Sequence, residues 1–165
     1  MNSTPFPLDL PALHARLLAS APLVQAITNT VVQQFSANVL LAAGAAPAMI
    51  DHEADAAQFA GVADGILINL GTASNHQLLA ADAAISVAGE TGKPWVLDPV
   101  SVGVVAFRTL KIRQAAAARP TVVRGNASEI AALAGAGAGG RGVDSTDEVD
   151  AVLPAAIRLA QVGGP

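Results

Sequence analysis

A strand with one wet face alternates apolar and polar side chains, but Gly65–Leu70, reading Gly-Ile-Leu-Ile-Asn-Leu, does not alternate. A short, nearly unbroken apolar run belongs to a strand covered on both faces, in a parallel sheet sandwiched by helices. The rest of the chain must then supply further strands and crossover helices. Pro94–Asp98 and Thr121–Arg124 read as further buried strands, with shorter ones at Leu23–Thr28 and Ala48–Ile50. Between them, helices are predicted over Asp9–Ser20, Thr30–Ala43, Asp51–Ala63, Asn75–Thr91, Arg108–Arg119, Ala127–Ala134 and Asp147–Val162. Gly44 and Gly92 stand where helix-ending glycines belong. Strand and helix alternate with short connections, so the expected fold is a layered α/β domain with a mainly parallel sheet. Right-handed crossovers would place helices on both faces.

Residues 1–165 show no domain boundary and no internal repeat, so a single domain is expected. The last helix runs into Gly163-Gly164-Pro165 where the rhythm calls for another strand. The expectation is the front part of a longer protein, its sheet incomplete at the C-terminal end and an apolar sheet edge left open.

Charged residues are only 13% of the chain and the net charge is −4. Much of the surface must therefore be Ala, Gly and Ser, which fits buried subunit contacts. Lys and Arg occur singly, without the basic cluster that nucleic-acid binding requires. With no cysteine, disulfides and thiolate metal sites are excluded. Met1–Leu10 lacks a basic segment and an apolar core, so no signal peptide is expected. No run approaches the ~18 apolar residues of a membrane span. The expectation is a soluble cytoplasmic protein.

Polar chemistry crowds one junction, Val122–Leu133, reading Val-Val-Arg-Gly-Asn-Ala-Ser-Glu-Ile-Ala-Ala-Leu. Asn126 is placed to cap the following helix, and Glu129 to complete a capping box. Arg124, Asn126 and Glu129 all fall at the carboxyl end of a strand, the ligand edge of such sheets. Asp98 ends another strand, and Pro99 forces the chain out of the sheet. A carboxylate there either holds Mg²⁺, a hard cation that takes oxygen ligands, or caps the turn at Ser101–Gly103. Together, two carboxylates, an arginine and a helix N-terminus form the anion-plus-cation site that a magnesium nucleotide needs.

Other features carry less. Gly135–Gly142 is glycine-rich but does not match a phosphate-binding P-loop and has no lysine. His14, His52 and His76 are linked by no metal-ligand spacing and are expected to face solvent. Met49 reads as a core residue and Asn29 as a helix N-cap. Ser74, Ser101 and Ser128 have no histidine at a recognisable spacing, so no hydrolase triad is visible.

Several stretches together resemble the hydroxyethylthiazole kinases. They are Ile27-Thr28-Asn29, Ala37-Asn38, Leu40 through Met49, Ile68-Asn69-Leu70-Gly71-Thr72, Leu97-Asp98-Pro99-Val100, Phe107-Arg108, Arg124 through Ile130, and Gly139 through Ser145. They follow in order from about Pro22 to the last residue. The resemblance implies a three-layer ribokinase-like α/β fold and a homotrimer with active sites at subunit interfaces. It implies ATP- and Mg²⁺-dependent phosphorylation of the primary alcohol of 4-methyl-5-(2-hydroxyethyl)thiazole, a salvage step toward thiamine. It also implies residue roles: Met49 and Asn29 at the thiazole, Arg124 and Asn126 at ATP, Asp98 and Glu129 at Mg²⁺.

The chain departs from that family in two places. The family's early strand commonly carries His after Pro-Leu-Val, where this chain has Gln25 followed by Ala26. The family's Gly-Thr-Gly-Cys segment, which forms the anion hole, is expected well after residue 165. The chain alone is therefore expected to turn over little. Two alternatives stay open: another ribokinase-like kinase or an ATP-dependent hydrate dehydratase, and a truncated, inactive assembly module.

Overall fold

The computed structural model describes residues 9–137 and 149–163. They form α1 (Leu10–Ser20), β1 (Leu23–Ile27), α2 (Gln33–Ala43), β2 (Ala46–Ala48), α3 (Glu53–Val62) and β3 (Gly65–Asn69). Then come α4 (Asn75–Thr91), β4 (Trp95–Asp98), α5 (Ala106–Ala117), β5 (Val122–Val123), α6 (Ala127–Leu133) and α7 (Val149–Gly163). All strand pairs are parallel, in the order β2-β1-β3-β4-β5. The layered α/β fold expected from the apolar runs is the one observed.

The central strands behave as their sequences dictate. Ile66, Ile68 and Leu97 are buried on β3 and β4, with Ile27 on β1. Helices α3 and α4 cover them with small residues: Ala56 and Ala60 from α3, and Ala80, Ala81, Ala84 and Ala88 from α4. Alanine faces let helices approach each other and the sheet closely, so the two N-termini lie side by side.

Three expectations need correction. β5 is not a buried strand: Val122 is 49% exposed, because β5 pairs only with β4 and stands at the edge among the described residues. Helix α1, predicted from Asp9, begins at Leu10 with Asp9 as its cap and buries no residue. Helix α2 begins at Gln33 rather than Thr30 and also buries no residue; Phe35 and Val39 are exposed. The Gly139–Ser145 stretch and part of Gly135–Gly142 lie outside the described residues.

Candidate active site

In this strand order the connections leave β1 and β3 in opposite directions. The crevice beyond the carboxyl ends of such neighbours is where open parallel sheets bind ligands. Asn69, the last residue of β3, sits there and is 7% exposed. Its Oδ1 accepts the Asn29 amide at 3.1 Å and the Gly71 N–H at 3.0 Å. Asn29 does not cap α2, whose N-cap Val32 makes no side-chain bond. Instead Asn29 Oδ1 accepts the Val32 N–H at 3.2 Å and closes a turn just ahead of the helix. Thr30 N–H donates to Thr72 Oγ1 at 2.8 Å, joining the β1–α2 and β3–α4 loops a second time.

Gly71 lets these loops meet. A Cβ there would lie 2.9 Å from Val100, 3.0 Å from Asn69 Oδ1 and 3.2 Å from Asn29. Met49 follows β2 directly and is half-buried, so it lines the loop rather than the core. The expected strand Ala48–Ile50 thus ends earlier, at Ala48. Fully buried Gln25 supports this turn, donating both amide hydrogens: to Ile50 O at 3.0 Å and to Ala56 O at 3.2 Å. A neutral histidine has a single N–H and could serve only one of these carbonyls.

The second wall lies at β4 and β5. Asp98 pairs in register with Asn69, and the Asn69 side chain and the Val100 N–H both lie against its carboxylate and favour its charged form. Arg124 Nη1 approaches Asp98 Oδ2 at 3.4 Å, the arginine 75% exposed and the aspartate only 17%. Burial pushes the Asp98 carboxyl above the ordinary aspartate range, against the opposing pull of Arg124, Asn69 and Val100. A carboxylate held this way gains from a cation.

Glu129 is 5% exposed. Its Oε2 accepts the Asn126 N–H at 2.8 Å while Asn126 Oδ1 accepts the Glu129 N–H at 2.9 Å, the expected capping box. Its Oε1 also accepts the Ser101 N–H at 3.4 Å. Ser101 has φ of 62°, a left-handed conformation that is strained for a residue with a side chain. Consecutive amides, Val100 and Ser101, therefore meet the two carboxylates at one turn. Glu129 thus caps α6 with one carboxylate oxygen and meets the turn after Asp98 with the other. Asp98 does meet the turn after Pro99, but through Val100 rather than through Ser101–Gly103.

Polar side chains thus run from Asn29 through Asn69 and Asp98 to Arg124 across the sheet edge, with Glu129 and Asn126 joined at the Val100–Ser101 turn. Met49 is tied in only through the turn that Gln25 holds. Asn69 is the residue that sequence reasoning passed over. Its signal was present: a polar side chain interrupting the apolar run of a two-face-buried strand. His52 and His76, with no sequence spacing to connect them, stack with ring centroids 5.3 Å apart.

Comparisons with known proteins give the family. Residues 15–164 match the model of the hydroxyethylthiazole kinase family. The hydroxyethylthiazole kinase of Corynebacterium efficiens is 56% identical over 92% of this chain, which covers 57% of that protein. Those of Klebsiella pneumoniae and Clavibacter sepedonicus are 54% and 58% identical, each over 92% of the chain, covering 60% and 55% of their lengths. A solved structure of hydroxyethylthiazole kinase protein from Pyrococcus horikoshii OT3 superposes with a TM-score of 0.67 at 38% identity. That match covers 75% of this chain and 49% of the other. The chain spans little more than half the length of the curated relatives it matches, and it belongs to the hydroxyethylthiazole kinase family.

Proposed function

We propose that this chain supplies one wall of a kinase site that transfers phosphate from ATP to the primary alcohol of 4-methyl-5-(2-hydroxyethyl)thiazole, a salvage step toward thiamine. The observation that carries the reading is the polar chain Asn29–Asn69–Asp98–Arg124 running across the carboxyl edge of the sheet. Asn29 and Met49 face the thiazole side, and Asn69 fixes the Asn29 amide in place. Arg124 and the helix N-terminus at Asn126 receive the nucleotide phosphates.

Asp98 and Glu129 form an all-oxygen, anionic donor pair, which suits Mg²⁺. Bound there, the ion neutralises charge on the phosphates. Phosphoryl transfer asks of the protein mainly positioning and charge stabilisation. Arg124 provides a positive charge on an exposed arm free to move onto a phosphate. Glu129 keeps the α6 N-terminus pointed at the site, and Gln25 holds the turn that presents Met49.

The exposed apolar residues Val31, Phe35 and Val39, spaced four apart beside the Asn29 loop, support a homotrimer in which a second copy covers that face and completes the site. The reading also makes the protein a soluble, cytoplasmic one. Among the described residues no helix is long and apolar enough to cross a membrane.

A coupled ATP assay with the thiazole alcohol tests the reaction, run on this chain and on a version extended to the length of the relatives. Thiazole-dependent turnover that falls on Arg124→Ala supports the proposal. ATP hydrolysis indifferent to the thiazole alcohol in both would overturn it.

A further inference from the structure

Outside this site, His52, Glu53 and His76 come together where α3 and α4 begin. His52 is the N-cap of α3, Glu53 its first residue, and His76 lies in the first turn of α4. His76 Nδ1 contacts Glu53 Oε2, the two imidazoles stack at an interplanar angle of 17°, and one ligand atom from each residue lies within 4.8 Å of the others. We propose that these three side chains form a surface site for one borderline transition-metal ion of the Zn²⁺, Co²⁺ or Ni²⁺ class, clipping α3 to α4.

The donor chemistry decides the class. Imidazole suits Zn²⁺, Ni²⁺ and Cu²⁺, whereas Mg²⁺ prefers oxygen ligands alone. Zinc bonds of about 2.0–2.2 Å in tetrahedral geometry put ligand atoms roughly 3.4 Å apart, so no pair must close in by much more than about 1 Å, while Glu53 and His76, already in contact, must move apart to admit the ion. Both imidazoles are exposed, His76 at 65%, and can turn without disturbing the core. Solvent supplies the remaining ligands.

Two features oppose binding. The N-termini of α3 and α4 present positive dipole ends, which the Glu53 carboxylate offsets. His52 Nδ1 also accepts the Ala54 N–H at 3.2 Å, and this cap is lost whichever ring nitrogen takes the metal. Coordination at Nδ1 replaces the bond; coordination at Nε2 leaves the proton on Nδ1.

The site is separate from the Asp98–Glu129 pair, and its test does not depend on kinase activity. The purified chain is titrated with Co²⁺, followed by its visible absorption, and then with Zn²⁺ in competition. One equivalent should bind, and millimolar Mg²⁺ should not displace it. His52→Ala and His76→Ala should each weaken binding by about 10-fold or more, since even outer-shell changes at metal sites cost about 10–100-fold. His76→Gln is the safeguard, because His76 caps no helix. Glu53→Gln should weaken binding less, while His14→Ala and Asp98→Asn should leave it unchanged. No saturable binding, or binding that survives both histidine substitutions, would overturn the proposal.

Discussion

Asp98 is a carboxylate whose burial works against its charge and which hydrogen bonds and Arg124 only partly relieve. Its pKa lies above the unfolded value, so the folded state binds the proton more tightly. Its favourable contribution is present below the unfolded pKa and is lost as pH rises through the folded pKa. Near neutral pH the ionised Asp98 therefore costs stability. Asp98→Asn should raise the thermal midpoint at pH 7, and the gain should shrink as pH falls through the raised Asp98 value. An Asn variant less stable than wild type at pH 7 contradicts this account of the site. Glu129 offers a different split. Glu129→Ala strips the acceptor from the Asn126 and Ser101 amides and should cost about 1–3 kcal/mol in denaturant unfolding. Glu129→Gln keeps an acceptor and should cost clearly less, yet both should weaken magnesium-dependent nucleotide binding. Equal stability losses would mean that the negative charge, not the cap, holds α6.

At the scale of elements, helix type and order were legible in the chain. Asn75–Thr91 is observed over the predicted residues, with Ser74 and Gln77 forming a capping box. Boundaries moved where a side chain made a bond that propensity does not register. Asn29 closes a turn before α2 instead of capping it, because Asn69 holds its amide. β5 shrank to Val122–Val123 and lost its burial because coverage depends on neighbours that a strand's own composition does not name. Asp98, Arg124 and Glu129 were readable as strand-end and capping positions. Asn69 and the His52–His76 pair were not picked out, since their partners lie tens of residues away. The loop junction at Gly71 gives a direct check. Gly71→Ala forces a methyl between Val100, Asn69 and Asn29, and such overpacking typically costs about 1–3 kcal/mol. An unfolding midpoint equal to wild type would show that the loops yield freely.

For the whole molecule, the uneven distribution of apolar surface is the main fact. The α3–α4 side is packed with alanine, while α1 and α2 leave Leu10, Leu18, Phe35 and Val39 in water. Exposed apolar patches rimmed by polar groups mark association surfaces. Sedimentation should find the chain associated, and Phe35→Glu should shift it toward monomer without loss of helical signal. A wild-type chain that stays monomeric at high concentration would count against the proposed trimer. In the proposed site, Asp98, the Val100–Ser101 turn, Arg124 and the Asn126 helix start hold a magnesium nucleotide. Paramagnetic broadening of backbone amides by Mn²⁺ with ATP, read by nuclear magnetic resonance on the intact chain, tests it most directly. The amides of Val100, Ser101, Gly125 and Asn126 should broaden first, an effect that Asp98→Asn removes. Uniform broadening, or broadening confined to residues away from these strand ends, would contradict nucleotide binding there.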